Sequence, residues 1–227
     1  MTENQKITIQ SYNNVAEVYA QKHAFLTNYN ESYDEFASFI PKGGEVLDLA
    51  CGPAQISLYL ANKVLGLKIT GVDLSSGMLK EARKNIPNGS FFEASIIDFD
   101  GKTCCGHLFD AAVLGFGIPY LSTEETKKCL LNTGNNLKDG GVFYLNFMDV
   151  RTDSEGNRPE SAEVVQMEKV SFGGDNLFEI HYHNKEVVAR YMKEAGFKIV
   201  KTYELPYTEM DGSITTDVVY IAKKNQR

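Results

Sequence analysis

The chain is 227 residues long, 43% hydrophobic and 23% charged, the balance of a soluble globular protein with enough material for one substantial core. Its formal net charge of −7 leaves no general basic field for a phosphate backbone and argues against nucleic acid as a partner. No apolar run is long enough to span a bilayer, and the polar start MTENQKITIQ has no signal-peptide core, so a cytoplasmic protein without a membrane partner is expected.

From Ile7 to about Ile40, aromatic and apolar residues recur at helical spacing (Tyr12, Val15, Tyr19, then Tyr33, Phe36, Phe39), which predicts two helices with a polar break near Thr27 and Asn28. Pro41, Gly43 and Gly44 end that run. Strand and helix then alternate. Strands are predicted over Glu45–Ala50, Lys68–Asp73, Ser90–Ala94, Phe109–Leu114 and Val142–Phe147. Helices are predicted over Ala54–Leu65, Ser76–Asn85 and Thr123–Leu137. Such alternation implies βαβ units and a parallel sheet.

The rhythm changes after Phe147. Asp149–Glu160 reads as a loop, and Val164–Phe172 with Leu177–His183 flank Gly173-Gly174-Asp175-Asn176 as a hairpin. A helix over Lys185–Ala195 stops at Gly196, and strands near Lys198–Leu205 and Thr215–Ala222 flank a second hairpin turn at Asp211-Gly212. The fold class is therefore α/β: one domain over residues 1–227 built on a doubly wound, mostly parallel seven-stranded sheet with an antiparallel C-terminal edge. Cys51, Cys104, Cys105 and Cys129 form no C-x-x-C pair and match no histidine at zinc spacing, so no metal is expected. The thiols are read as reduced, with a Cys104–Cys105 redox pair as the alternative.

The most informative segment is EVLDLACGPAQISLYLA, Glu45 to Ala61, where a strand ends in a small-residue turn and a helix begins at once. Small residues let a ligand approach the backbone at the carboxyl edge of a sheet. Asp48 faces that crevice, and Asp73 ends the next strand where a Rossmann-type site places the acid that binds ribose hydroxyls. Either acid could instead cap the turn or helix that follows it. A nicotinamide dinucleotide needs G-x-G-x-x-G and a close backbone approach to its pyrophosphate. Here the turn is A-C-G-P-A-Q, and Pro53 removes one N–H from it.

These residues carry a family resemblance. Asp48-Leu49-Ala50-Cys51-Gly52-Pro53-Ala54 resembles the acidic, glycine-rich first motif of class I S-adenosylmethionine-dependent methyltransferases of the small-molecule type. Gly71-Val72-Asp73-Leu74-Ser75-Ser76-Gly77-Met78-Leu79 is similar to their second motif, Phe109–Leu114 to their fourth strand, Leu137–Phe143 to the turn before the fifth, and Ala195-Gly196-Phe197 to the lead into the sixth. The resemblance implies S-adenosylmethionine as cofactor. It implies Ala50, Cys51 and Gly52 along the methionine part, Asp73 on the ribose, Leu74 and Met78 about adenine, Ser95 and Ile96 at the adenine edge, and Leu114 and Gly115 on the floor. Ala50 and Ala54 replace family glycines, Ser95 replaces an aspartate, and Asp139 replaces a proline.

Tyr12 and Tyr19 resemble the Y-x-x-x-A-x-x-Y lead-in of many small-molecule members, which makes residues 1–40 a helical lid with Tyr19 near the methionine end. Residues 148–183 become an insertion, carrying the hairpin, that shapes the acceptor site. Methyl transfer needs alignment more than a dedicated catalytic group, so the catalytic candidates are weak: Tyr12, His181 and His183, with packing as the alternative for each. His23 and His107 have no evident partner. Gly115–Tyr120 lacks the Asn-Pro-Pro-Tyr-like quartet of nucleic-acid base methylases, leaving a small-molecule O or N acceptor as the expectation. Two alternatives stand beside it: a non-catalytic cofactor-binding regulator, marked by a filled acceptor space, and a protein methyltransferase, marked by an open groove.

Overall fold

Val46, Leu47 and Leu49 are completely buried and Asp48 nearly so, which puts strand β1 (Glu45–Leu49) at the centre of the molecule. A strand covered on both faces reads as an apolar run, not as an alternation. In this computed structural model the described residues are 3–22, 27–151, 165–171, 177–208 and 214–226. β1 pairs in parallel with β2 (Lys68–Asp73) on one side and β4 (Phe109–Gly115) on the other. β3 (Ser90–Glu93) extends the sheet beyond β2, and β5 (Leu137–Met148) follows β4, both parallel. Two long antiparallel strands, β8 (Phe197–Thr208) and β9 (Ile214–Lys224), complete the order β3-β2-β1-β4-β5-β9-β8.

The chain winds outward from β1 to β3 and then returns to β4, beside β1. At that reversal the connections leave β1 and β4 toward opposite faces, which opens a crevice at the carboxyl ends of the two strands. Helices cover both faces of the sheet. Leu60 of α3 (Gln55–Lys63) and Phe36 of α2 (Asn30–Ser38) pack on the side of Val46 and Val113. Leu130 of α6 (Thr123–Asn136) and Met192 of α7 (Lys185–Glu194) pack on the side of Leu47 and Leu114. α4 (Ser76–Asn85) buries Met78, Leu79 and Ala82, and α1 (Glu3–Lys22) lies against α4.

The helix boundaries follow local chemistry. Ser122 and Glu125 form a reciprocal capping box at the start of α6, and Asn184 accepts from two backbone amides at the start of α7. Gly196, at φ +85°, takes the left-handed conformation that ends α7. The expected hairpin is present as a separate two-stranded sheet in which β6 (Val165–Ser171) pairs antiparallel with β7 (Leu177–His183). β7 rests against α1, β5 and the 3-10 turn Ile118–Tyr120. The turns at Gly173–Asn176 and Asp211-Gly212, and the loop beyond Arg151, lie outside the described residues.

Two features depart from the expected elements. A short helix, α5 (Gly101–Cys105), was absent from the strand–helix pattern because five residues are too few to show periodicity; Asp100 caps it by accepting from the Lys102 amide. β5 starts at Leu137, opposite Phe109, and shifts register before Val142 pairs with Ala111, so Gly140-Gly141 marks an irregularity within the strand and not its start. At the rim of the sheet, β8 exposes Lys198, Lys201, Glu204 and Pro206.

Candidate functional site

The turn after β1 is held by unusual backbone. Ala50 (φ 53°), Gly52 (φ 50°) and Ala54 (φ 60°) are all left-handed, and the Ala54 amide donates to the Cys51 carbonyl at 2.8 Å. Left-handed alanine costs roughly 1–2 kcal/mol, so the family glycines replaced here left a conformational demand behind as well as a space. Phe116, just past β4, is left-handed too at φ 55°. These are the non-glycine residues with positive φ among the described residues, and all flank the switch-point crevice, where stored strain commonly gathers.

Asp73 is fixed by that turn. Its Oδ2 accepts from the Gly52 amide and its Oδ1 from the Ser75 amide, both at 2.8 Å. Each carboxylate oxygen keeps a further acceptor site for a ligand hydroxyl. Burial raises the Asp73 pKa, while the amide hydrogen bonds oppose the rise. The Cys51 amide in turn donates to the Val72 carbonyl at 3.0 Å, which straps the turn onto β2. That approach depends on Gly71, where a Cβ would sit 2.9 Å from the Cys51 sulfur and 2.5 Å from the Phe91 ring.

Asp48 is 2% exposed and accepts from the Ser57 hydroxyl at 2.6 Å. Burial pushes its pKa up to about 7, against the pull of the Ser57 hydrogen bond and with help from the nearby Asp73 charge. Both acids line one cavity of about 870 Å³. The same cavity brings together Tyr12, Tyr19, Ala50, Cys51, Gly52, Leu74, Met78, Ser95, Ile96, Gly115 and His181 of the residues singled out from the sequence. Ser95 spends part of its hydroxyl locally, accepting from the Ile97 amide at 3.3 Å.

Helix α1 forms one wall of the cavity with Gln5, Thr8, Ile9, Tyr12 and Tyr19. Tyr12 and Tyr120 share a hydroxyl–hydroxyl hydrogen bond, with their rings edge to face at 5.6 Å. The Gln5 side chain donates to Glu125 at 2.7 Å, and Gln55 donates to the Ala20 carbonyl at 2.6 Å, so α1 is tied near both ends. Burial first, then the neighbouring phenols, push Tyr12 well up, and Tyr19 and Tyr120 are raised as well. At neutral pH these hydroxyls carry their protons, which makes them donors; Tyr12 is unsuited to act as a base.

Two expected residues lie elsewhere. Leu114 is completely buried in the core and does not line the cavity. His183 is 4% exposed, its Nε2–H donates to the Ile118 carbonyl at 2.9 Å, and burial lowers its pKa to about 4. It is a structural histidine that holds β7 against the turn after β4, and its ring stacks on His181 at 6.2 Å. His107 does have partners, the Cys105 carbonyl at 3.0 Å and the Glu45 carboxylate at 3.4 Å; His23 lies outside the described residues. The cavity also holds Tyr33, Tyr59, Asp98, Phe116, Tyr120 and Glu125, which the sequence reading did not assign to it. Glu125 was legible only as the acid of a capping box, and Tyr120 only as part of the segment after the fourth strand.

A switch-point crevice with a ribose-type acid and a small-residue turn is the arrangement that nucleoside-binding Rossmann-like proteins use. Comparison with known proteins takes this further. Residues 46–141 match the model of the methyltransferase domain family. The candidate methyltransferase YqeM of Bacillus subtilis is 32% identical over 172 residues, a match that spans 66% of this chain and 64% of that protein's length. Among solved structures, a SAM-dependent methyltransferase from Methanosarcina mazei superposes with a TM-score of 0.65 at 19% identity, over 84% of this chain and 96% of the other. The [4+2]-cyclase SpnF superposes with a TM-score of 0.69 at 15% identity, over 99% and 97% of the two chains. Over residues 46–141 the chain is similar to the methyltransferase domain family, and it shares its Rossmann-like fold with S-adenosylmethionine-dependent methyltransferases. A cyclase on the same fold is a reminder that the reaction has to be argued from the site.

Proposed function

We propose that the chain transfers the methyl group of S-adenosylmethionine to a small-molecule oxygen or nitrogen acceptor. The observation that carries this reading is the Asp73 carboxylate, pinned by the Gly52 amide, at the edge of a cavity large enough for two ligands side by side. The donor set fits the cofactor: Asp73 for the ribose diol, Leu74 and Met78 for adenine, Ser95 and Ile96 for its edge, and Ala50 to Gly52 with Tyr19 for the methionine portion. Pro53 removes an amide that a pyrophosphate would need and an unphosphorylated sulfonium does not. When bound, the cofactor supplies an electrophilic methyl group. The chain's own residues orient the two reactants and exclude water, which is most of what this displacement requires.

The cavity extends past the cofactor residues to Tyr33, Tyr59 and Phe116, leaving space for an acceptor, which supports turnover over mere binding. α1 covers that space, which supports a small acceptor over a protein side chain. Calorimetry with S-adenosylhomocysteine tests the reading. Wild type is expected to bind it, Asp73→Ala to weaken it by at least about tenfold, and Asp73→Asn, which can still accept from Gly52, to fall between. Tighter binding of a nicotinamide dinucleotide, or an unchanged Asp73→Ala titration, would sink it.

A further inference from the structure

The cavity walls have a marked electrical character. Six aromatic rings line it, among them Tyr12, Tyr33 and Phe116, together with the carboxyl groups of Asp48, Asp73, Asp98 and Glu125. Among the described lining residues there is no lysine and no arginine, and His181 is the one basic side chain. Lys63 approaches the Tyr59 ring at 5.2 Å, but it is not a lining residue and it pairs with Asp34 at 2.8 Å. Glu125, which burial alone would raise, is held below the usual carboxylate range by hydrogen bonds from Ser122 and Gln5, so it is ionised at neutral pH.

We infer that the acceptor is a neutral nitrogen compound, an amine or ring nitrogen that ends the reaction as a cation, and not a carboxylate, phosphate or other anion. This rests on the proposed methyl transfer. In that reaction the nitrogen lone pair forms the new N–C bond while the C–S bond breaks and its electron pair goes to sulfur. The positive charge passes from sulfur to nitrogen, and a primary or secondary amine afterwards gives one proton to water. A cation is therefore present at every stage, and aromatic faces and carboxylates stabilise a cation throughout. Apart from His181 and the sulfonium itself, an anionic acceptor would find no counter-charge among the described lining residues, and it would enter beside the carboxyl groups of Asp98 and Glu125, a costly placement in a desolvated site.

Two matched probes test the inference on protein saturated with S-adenosylhomocysteine: benzyltrimethylammonium, which resembles an N-methylated product, and phenylacetate, an anion of similar size. Calorimetry is expected to show the cation held at least about tenfold more tightly than the anion. Tyr12→Phe keeps an aromatic face and should preserve the preference, whereas Tyr12→Leu should cut it by about fivefold. Phenylacetate binding as tightly as the cation overturns the inference, and so does a protein that holds neither probe. Either result with intact S-adenosylhomocysteine binding leaves the proposed function standing; loss of S-adenosylhomocysteine binding in wild type overturns both.

Discussion

The side-chain oxygen of Asn13, in the middle of α1, accepts from the backbone amide of Gly77 at 2.9 Å, and the Ser75 hydroxyl donates to the same oxygen at 2.8 Å. The Gly77 amide is one of the N-terminal donors of α4 that have no partner within the helix. A residue of the covering helix thus completes the hydrogen bonding of the helix that follows Asp73 and Leu74. Asn13→Ala should loosen α1 without unfolding the sheet. Hydrogen exchange in α1 is expected to quicken, and S-adenosylhomocysteine affinity to fall about fivefold, in keeping with a lost hydrogen bond of about 1 kcal/mol. Unchanged exchange across residues 5–20 would show that the clasp does not hold the helix.

Asp48 and His183 pull stability in opposite directions over one pH range. Asp48, with its pKa up at about 7, holds its proton in the folded chain where an unfolded aspartate has lost it, so its contribution declines as pH rises from about 4 through 7. His183, lowered to about 4, stays neutral in the folded chain where an unfolded histidine is protonated, so stability is lost as pH falls from about 6.5 through 4. The wild-type profile should therefore be flat between those limits. Asp48→Asn, which mimics the protonated acid, should raise the free energy of unfolding at pH 8 by an amount on the order of a few kcal/mol and uncover the loss on acidification due to His183. A variant with the wild-type profile would mean that Asp48 titrates as an ordinary carboxylate.

Ala54 sits at φ 60° immediately before α3, with no side-chain cap of its own. Ala54→Gly removes the left-handed penalty but adds backbone entropy to the unfolded chain, and the first effect is the larger. Chemical denaturation should show a gain of about 0.5–1 kcal/mol. A loss of stability would show that the alanine methyl contributes packing that outweighs its strain.

Tyr12→Phe severs the hydroxyl pair with Tyr120. Since both phenols are pushed above their ordinary range, neither ionises near neutrality, and the pH dependence of kcat should keep its shape while kcat falls by a few-fold. Disappearance of an ionisation from the profile would assign Tyr12 the base role that its burial argues against.

The sheet and the turn that brings Asp48 and Asp73 to one cavity were legible because their signals are local. A strand, a small-residue turn and a helix follow one another within Glu45–Ala61, and Asp73 closes the next strand, so neighbouring sequence encodes neighbouring structure. Leu114 was placed on the wrong side because β4 is buried on both faces, and a strand of that kind carries no alternation to tell floor from core. Alternation correctly put His181 and His183 on one face but says nothing of depth, and only the contact with the Ile118 carbonyl separates a cavity residue from a buried one. The rest of the cavity is assembled by tertiary packing: Tyr33 from α2, Phe116 from just past β4 and Glu125 from α6 meet across long sequence separations. No single segment announces them.

The outer strand β8 has a bearing on life at cellular concentration. Among the described residues it terminates the sheet on one side, with a row of backbone groups that faces no further described strand. Lysines at 198 and 201 and a glutamate at 204 make an incoming strand strip water from charged side chains, and Pro206 has no amide hydrogen to offer it. Two molecules colliding along this margin find a poor template for cross-chain pairing, which guards the protein against edge-to-edge aggregation.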